Sequence, residues 1–423
     1  MKRKFAILLS AMLLTQAVCG CGGAAPSATS SASASTGSTA SKSNEKAVIV
    51  TDEQDFTHEN GITRLAKEIY GDLNVEFFVL SEDAQERETQ ISSLRVEIMA
   101  GGGPDGYLFS SPASNIAYEG DSRPAALFPD VQRTMQAGAF LPLDDYIKES
   151  EYLHPEDHFA PVFDAGKTDE GQVVLPITYY ASVFLLDKAQ LADPDFTPKT
   201  WDELVNCEDT AVLKAVRSCL YYWCGAGIPR IADYATEKTI LTEENLTAQF
   251  EDLLAMPASE SFDEETALIQ SGSYAQTDEG MAYYAQNKDT VNALAIPNTE
   301  GGVTVFITSY AAINRNSPKA DEVFRFFELL FSDEAQIDTE TVNDARGTLL
   351  MLGSLNSFLT HKNAYLQPEL LESVQSRVNA VRFYSVMDYT IYDTATTLTW
   401  EENPDCAAAA HSVIEALQTR LSE

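Results

Sequence analysis

Two histidines, His154 and His158, stand four residues apart, the spacing that zinc enzymes use on one face of a helix. Pro155 follows the first histidine directly, and proline suits the first turn of a helix better than its middle. The glutamate that follows the first histidine in the zinc motif is missing, and no third ligand is evident. The pattern favours solvated histidines at the start of a helix, and we predict no metal site.

Two further patterns match catalytic motifs by their letters. Asp144 and Asp145 are adjacent carboxylates, which point in different directions, whereas glycoside hydrolysis needs two carboxylates that face one bond. We therefore predict that they cap a helix. Ser43 and Lys46 match the S-x-x-K pattern of serine acyl-enzymes, but their surroundings are rich in Ser, Ala, Gly and Thr. Such a segment is predicted to be disordered and cannot preorganise an oxyanion hole. No catalytic residue is predicted.

The glycine run from Gly101 to Gly106 matches the G-x-G-x-x-G fingerprint of dinucleotide-binding proteins. That fingerprint requires a strand before the glycines and a helix after them, so that a phosphate meets the helix N-terminus. Here the order is reversed, because a predicted helix ends at Ala100 and a strand follows Pro104 and Asp105. We predict that the glycines cap the helix and that the chain binds no cofactor.

The elements around these residues alternate between strands and helices. Strands are predicted at Ala47 to Thr51, Val75 to Leu80 and Tyr107 to Ser110, with helices at Gly61 to Tyr70 and Ala84 to Met99. Strands separated by helices at this spacing pair in parallel through right-handed crossovers. The sequence therefore predicts an α/β fold, and a hairpin between Gly166 and Pro176 is predicted to lead into a chain crossing.

The N-terminus has the layout of a secretory signal, with Lys2, Arg3 and Lys4 before the apolar run Phe5 to Leu14. That run is shorter than the roughly 20 residues that span a bilayer as a helix. Val18 and Gly20 precede Cys21 as in a bacterial lipobox, which predicts a signal peptide at residues 1–20 and lipidation of Cys21. An ordinary signal peptide with a free thiol is the alternative. Residues 21–46 are predicted to form a disordered tether.

Composition narrows the possible partners. The formal net charge is −36, which disfavours nucleic acid and anionic lipid as partners and favours neutral or cationic ligands. Four cysteines lie beyond the N-terminal segment, and no C-x-x-C pattern occurs. We interpret them mainly as small buried hydrophobic residues, with one disulfide possible in an exported protein; they are Cys207, Cys219, Cys224 and Cys406.

Several motifs together resemble the family 1 extracellular solute-binding proteins of ABC importers, a family that includes maltodextrin receptors. They occur in the family's order along nearly the whole chain after Cys21. The motifs are Glu88 to Asp105, Ala137 to Tyr146, Val174 to Lys188, Thr200 to Leu204, Ala295 to Asn298, Ser309 to Asn314, and Ala320 to Gln336. The family's usual run of small residues, Lys and Met is replaced by Gly272 to Tyr284.

The resemblance implies a two-lobed, periplasmic-binding-protein-like α/β fold with a ligand cleft between the lobes and hinge crossings. It implies an N-terminal lobe of residues 47–178 and 304–347 and a C-terminal lobe of residues 179–303 and 348–423. The partners that it implies are a small solute, ABC permease subunits and the membrane, reached through the lipid anchor. A carbohydrate is the leading ligand, and the alternatives are another neutral or cationic solute such as a polyamine, or a lipid-anchored hydrolase.

Aromatic side chains that stack on sugar faces are the candidate ligand contacts. The resemblance places Tyr180 just past the first crossing, and Tyr283 and Tyr284 after a region that carries a stacking aromatic in maltodextrin binders. For each tyrosine, packing in the core is the competing interpretation, and Trp201 is interpreted as structural. The full set of predicted ligand-binding residues is Tyr179, Tyr180, Trp223, Tyr283, Tyr284, Tyr310, Tyr389 and Tyr392.

Overall fold

The computed structural model describes residues 45–110, 126–218, 225–257, 275, 277–337, 344–353 and 357–422. The predicted signal peptide, Cys21, Cys219, Trp223 and Cys224 lie outside the described residues. Residues 45–423 form one compact unit. Within the described part of the chain, no helix is both long and apolar enough to cross a membrane.

The first elements follow the predicted order. Strands β1 (Ala47–Thr51), β2 (Val75–Val79) and β3 (Gly106–Ser110) alternate with helices α1 (Gly61–Tyr70) and α2 (Ala84–Met99). Strand β1 lies between β2 and β3 and pairs in parallel with both, so the predicted parallel arrangement is confirmed. Helix α2 ends as predicted, because Ala100 caps it and Gly101 adopts a φ of 82°, a conformation that favours glycine.

A seven-stranded sheet is built around the long strand β11 (Val303–Ile313). Strand β11 pairs with β6 (Val174–Ala181), and β12 (Phe358–Leu359) follows at the edge. The main strand order is β12-β6-β11-β3-β1-β2. Strand β3 pairs antiparallel with β11 from Ser309 to Ile313, whereas β13 (Val378–Phe383) pairs in parallel with it from Val303 to Ile307. The carboxyl ends of β3 and β13 therefore approach each other near Thr308.

A second, two-stranded sheet separates two buried clusters. Strands β7 (Val183–Asp187) and β10 (Val291–Ala295) pair antiparallel. Successive strand residues point to opposite faces, and here Val183 and Leu185 join the first cluster, whereas Phe184 and Leu186 join the second. The first cluster also contains the cores of β1, β3, β6 and β11. The predicted lobe boundaries stay a prediction, and β13 packs partly against the first cluster.

The remaining elements complete the molecule. The short strands are β4 (Lys167–Thr168), β5 (Gly171–Gln172), β8 (Ala232–Asp233) and β9 (Lys238–Thr239). The remaining α-helices are α3 (Val131–Gln136), α4 (Asp144–Glu149), α5 (Ala160–Asp164), α6 (Trp201–Val205), α7 (Thr210–Ser218), α8 (Glu243–Ala255), α9 (Asp278–Gln286), α10 (Ala320–Leu329), α11 (Asp333–Gln336), α12 (Asp344–Leu352), α13 (Glu369–Gln375), α14 (Val386–Trp400) and α15 (Cys406–Ser422). The 3₁₀ helices are Gln54–Thr57, Pro155–Asp157 and Lys188–Gln190.

Two local predictions were wrong. Asp144 and Asp145 form the first turn of α4, and Leu143 holds the N-cap position, so neither carboxylate is the cap. The Asp144 carboxylate instead accepts a hydrogen bond from the Gln172 amide, at 3.0 Å, and so ties α4 to the β4–β5 hairpin. His158 is not solvated, since only 1% of the residue is exposed and its ring stacks on Phe163 at 5.6 Å.

Candidate functional site

The candidate site lies where the carboxyl ends of β1, β3 and β13 come together beside β11. Ligands of α/β proteins bind outside the carboxyl ends of strands, at points where the chain order changes. Here β3 and β13 approach from opposite directions along the same edge of β11. We call this region the strand-end site and define it by Asp52, Arg87, Ser110, Asp130, Tyr234, Tyr310, Arg382, Tyr384 and Asp388.

A buried carboxylate follows β1. The Asp52 carboxylate accepts hydrogen bonds from the Ser110 amide at 3.1 Å and from the Ser110 hydroxyl at 2.8 Å. The Arg87 guanidinium, which is also buried, lies 3.8 Å from the same carboxylate. Burial raises the pKa of Asp52, while the hydrogen bonds from Ser110 and the charge of Arg87 oppose that shift. A carboxylate, a guanidinium and a hydroxyl thus meet at one strand end.

Tyr310 connects the two halves of the site. Its ring lies 6.3 Å from Phe109 on β3 and 5.7 Å from Phe383 on β13, measured between centroids. Burial raises the pKa of Tyr310 well above its usual value, and the nearby charge of Asp52 adds to the shift. The phenol therefore stays protonated and able to donate a hydrogen bond at neutral pH.

A buried ion pair lies on the β13 side. Arg382 Nη1 is 2.8 Å from Asp388 Oδ1, and both side chains are almost fully buried. Ser385 caps α14 and donates its hydroxyl to Asp388 Oδ2 at 2.9 Å. Burial raises the pKa of Asp388, and the charge of Arg382 opposes that shift. The pair fixes the end of β13 to the first turn of α14.

Elements from both buried clusters meet beside this ion pair. Asp130 caps α3, which packs in the first cluster, and it accepts a hydrogen bond from the Tyr234 hydroxyl in the β8–β9 hairpin. Burial raises the pKa of Asp130. The Val386 amide donates to the Pro129 carbonyl at 3.2 Å, and Arg133 donates to the Arg420 carbonyl on α15. These residues line a cavity of about 120 Å³.

A row of buried hydroxyls underlies the site on β11. The Thr178 hydroxyl is 2.9 Å from the Thr308 hydroxyl and 2.5 Å from the Ser309 hydroxyl. Thr308 in turn donates to the Ser357 hydroxyl at 2.6 Å. All four side chains are buried, and paired hydroxyls avoid the free-energy cost of an unpaired polar group. The row holds β6 and β11 together directly under the strand ends.

A separate cluster of buried polar groups lies inside the first cluster, and we call His158, Gln336, Thr360 and His361 the histidine cluster. His158 Nδ1 is 3.1 Å from the Thr360 hydroxyl, and the two imidazole rings are 5.3 Å apart. Gln336 accepts a hydrogen bond from the His361 amide at 2.9 Å. Burial, followed by the neighbouring His361, lowers the pKa of His158 to about 3, so its ring is neutral.

The predicted ligand-binding tyrosines fall into different surroundings. Tyr310 lies in the strand-end site. Tyr180 is buried in the second cluster near the end of β6, whereas Tyr179 points into the first cluster, where its hydroxyl accepts a hydrogen bond from Gln375 at 2.8 Å. Tyr389 and Tyr392 follow Asp388 on α14 and form an edge-to-face pair with centroids 5.8 Å apart.

Two other predicted residues lie elsewhere, and several site residues were not predicted. Tyr283 and Tyr284 are half-buried on α9 against the first cluster, next to α13. No motif in the sequence pointed to Asp52, Ser110, Asp130, Tyr234, Arg382 or Asp388 as site residues. Asp52 and Ser110 carried a usable signal, because each stands at the carboxyl end of a strand that was predicted to be parallel. Trp201 is structural as predicted, with its indole donating to Asp252 at 2.7 Å.

Comparison with known proteins identifies the family of the chain. The sequence profile of the bacterial extracellular solute-binding proteins matches residues 94–337, more than half of the chain. The chain belongs to this family of extracellular solute-binding proteins. Among curated proteins, none matches the chain. The family's role is the binding of solutes, which fits a site built from buried polar and aromatic groups at strand ends.

Solved structures share the fold of this solute-binding protein. The sugar-binding protein MalE from the phytopathogen Xanthomonas citri is 10% identical, covers 89% of this chain and 97% of its own, and has a TM-score of 0.57. A family 1 protein from Alicyclobacillus acidocaldarius is 12% identical, with 89% and 98% coverage and a TM-score of 0.49. The cyclic α-maltosyl-1,6-maltose-binding protein from Arthrobacter globiformis is 11% identical, with 89% and 99% coverage and a TM-score of 0.48. The similarity to MalE confirms the predicted two-lobed α/β fold.

Proposed function

We propose that the protein is a lipid-anchored receptor that captures a small carbohydrate between its lobes and delivers it to an ABC permease. The observation that carries the proposal is the strand-end site, in which Asp52, Tyr310 and Asp388 come from elements on either side of one strand junction. A ligand at this junction would contact elements of both buried clusters. Binding would then favour a closed arrangement of the lobes, because the ligand would have a higher affinity for the closed state than for the open state.

The chemistry of the site favours a neutral sugar. Sugars present hydroxyl rims and flat CH faces, which bind to carboxylates, amides and aromatic rings. The three buried carboxylates of the site already accept hydrogen bonds from Ser110, Tyr234 and Ser385, so their charges are partly compensated. A neutral polyol can add hydrogen bonds to such groups without adding a charge to the buried site. A polyamine, the competing ligand, would have to lose more hydration to enter.

The first test is a thermal-shift screen with monosaccharides, oligosaccharides and polyamines. A ligand that binds only the folded protein raises the melting temperature according to RT ln(1 + [L]/Kd). We expect one or more sugars to stabilise the protein and polyamines not to do so. Stabilisation by polyamines alone would reject the carbohydrate proposal. Shorter sugars that appear on incubation with an oligosaccharide would support a hydrolase instead of a receptor.

The second test addresses the predicted tyrosines with the sugar that the screen selects. Loss of a stacking aromatic in a desolvated cleft weakens binding by about tenfold or more. We expect Tyr180→Ala to cause such a loss in calorimetry, and likewise the double variant Tyr283→Ala, Tyr284→Ala, while the ligand-free proteins remain folded. Unchanged affinity in both variants would reject these residues as ligand contacts. Tyr179→Phe serves as the matched control, because its hydroxyl bonds Gln375 inside the first cluster.

The proposed anchor is tested separately. Stable membrane attachment of a lipoprotein requires more than one acyl chain, since a single chain binds only marginally. We expect the Cys21→Ala protein to be unlipidated and to be either unprocessed or shed into the medium. Mass spectrometry and membrane fractionation give the readout. A Cys21→Ala protein with normal mature mass in the membrane fraction would reject the anchor.

A further inference from the structure

We infer that a second ligand site, distinct from the strand-end site, lies in a groove between α2 and the outer face of β1 and β2, and that it binds a compact organic cation with an apolar body. The groove has a volume of about 670 Å³ and is open to solvent. Ligand sites for small molecules typically have volumes of about 300 to 1,000 Å³, so the groove has room for one such molecule. It lies beside the middle of β1, whereas the strand-end site begins after the carboxyl end of that strand.

The floor of the groove is an apolar sheet face. Phe77 on β2 packs inward against Phe56 and Phe326, with centroid distances of 4.5 and 5.3 Å. Because strand side chains alternate, Phe78 points to the opposite face, where it remains 40% exposed. The parallel register pairs Phe78 with Val50 and brings Val48 onto the same face. Val50 is fully buried, so Phe78 and the half-buried Val48 are the apolar strand side chains that this face offers to a ligand.

Helix α2 forms a wall of the groove without filling it. Its fully buried residues are Arg87 and Ile91, and its groove-facing side consists largely of Glu86, Gln90, Ser93 and Glu97. Leu94 is the apolar residue that this helix contributes to the lining. An apolar surface surrounded by polar residues is typical of an interaction site. The helix thus leaves the apolar floor open to a ligand.

The charges around the groove select the ligand. Glu86, Glu97 and Asp105 are acidic, and none of the described residues that line the groove is basic. Asp105 is committed to the fold, because it accepts hydrogen bonds from the Val48 amide at 2.9 Å and from the Ser317 hydroxyl at 2.7 Å. Glu86 and Glu97 are exposed, and their carboxylates accept hydrogen bonds from the hydroxyls of Ser81 and Ser93, at 3.0 and 3.4 Å. They leave carboxylate oxygens for a cation above the apolar floor.

The test uses 4-phenylbutylammonium as the probe and the neutral 4-phenylbutanol as its matched analogue, in calorimetry at pH 7 with the full protein. We expect the cation to bind and the alcohol to bind about fivefold more weakly or worse, as loss of exposed ion pairs predicts. The double variant Glu86→Gln, Glu97→Gln should weaken binding of the cation by a similar factor. Leu94→Arg, which places bulk and a positive charge in the groove, should remove binding.

Matched controls separate the groove from the general negative charge of the protein. Glu88→Gln removes a carboxylate from α2 outside the groove, and Val96→Arg adds an arginine at a position that is 68% exposed on the same helix and is not part of the lining. Both should bind the probe as the wild type does. Circular dichroism and urea unfolding check that each variant is folded.

Three results would overturn the inference. The first is that the probe does not bind, or binds no better than the alcohol. The second is that Glu88→Gln weakens binding as much as the double variant, which would indicate general electrostatics. The third is that Leu94→Arg binds normally while Tyr234→Ala, a change within the strand-end site, removes binding, which would assign the probe to that site. If sugars bind and the cation does not, the proposed function stands without this second site.

Discussion

The strand-end site and the histidine cluster both bury polar groups, but they do so in opposite ways. In the histidine cluster, His158 and His361 lie within the first buried cluster, and burial lowers the pKa of each ring, so both are neutral. In the strand-end site, Arg382 and Asp388 are paired as ions, and Asp130 and Tyr234 join elements of both buried clusters. Buried polarity alone therefore does not indicate a binding site.

The contrast has a physical reason. Neutral groups that bond to each other inside one core mainly fix that core in a single arrangement. Charged groups are costly to bury and depend on every partner that compensates them, so a movement that changes a partner changes their free energy. Charged groups that join elements of the two buried clusters are therefore suited to respond to a ligand. The predictions below test this distinction, beginning with the largest expected effect.

Removal of one member of the buried ion pair should have the largest effect. Asp388→Ala leaves the Arg382 guanidinium buried without its carboxylate and removes a bond from the α14 cap. We expect the free energy of unfolding to fall by about 3 to 5 kcal/mol, measured by urea denaturation at pH 7. Glu402→Gln, at an exposed position after α14, is the control and should stay within about 0.5 kcal/mol of wild type. If Asp388→Ala lowered the free energy of unfolding by less than about 1 kcal/mol, the ion pair would be solvated and not part of the core.

The histidine cluster should make the stability of the protein depend on pH. His158 is neutral in the folded protein down to a pKa of about 3, whereas in the unfolded chain it takes up a proton near its usual pKa of 6.5. Between these values the unfolded state binds more protons, so stability is lost as the pH falls below 6.5. His158 alone should contribute a loss of about 2 kcal/mol from pH 6.5 to pH 5.

The variant His158→Gln isolates that contribution. It lacks the titrating ring, so its stability should decline less steeply over the same pH range, whatever its stability at pH 7. His411→Gln is the matched control, because its exposed ring has a raised pKa through the carboxylate of Glu243 and contributes with the opposite sign. Parallel slopes for wild type and His158→Gln, from urea unfolding at several pH values, would contradict a neutral buried ring.

Removal of the α14 cap should have the smallest effect on stability and a larger one on binding. Ser385→Ala loses the cap hydrogen bonds to the Met387 and Asp388 amides and the bond to the Asp388 carboxylate. We expect a loss of about 1 to 2 kcal/mol. In the presence of the sugar from the screen, the thermal shift of Ser385→Ala should also shrink. Thr360→Ser in the histidine cluster should keep the full thermal shift, and equal loss in both variants would remove the distinction between the two regions.

How much the sequence could predict differs between the two halves of the sheet. The elements from Ala47 to Ser110 were predicted nearly residue by residue, because local alternation of polar and apolar positions determines them. The approach of β13 to β3 along β11 could not be predicted, since it joins segments more than 250 residues apart in sequence. For the same reason Arg382 and Asp388 were missed, although Tyr310 was selected. The sequence predicts a solvated His158 because the contacts that bury it, with Thr360 and His361, are distant in sequence.

The length of strand β11 is constrained by its pairing with three other strands. It pairs with β13 through Val303 to Ile307, with β3 through Ser309 to Ile313 and with β6 through Ser309 to Ala312, all within eleven residues. One inserted or deleted residue near Thr308 would leave one half in register and turn every side chain of the other half to the wrong face. We therefore expect insertions and deletions among homologous sequences to collect in loops away from the strand-end site and to spare this strand. The number of residues from Val303 to Ile313 therefore keeps the carboxyl ends of β3 and β13 facing each other.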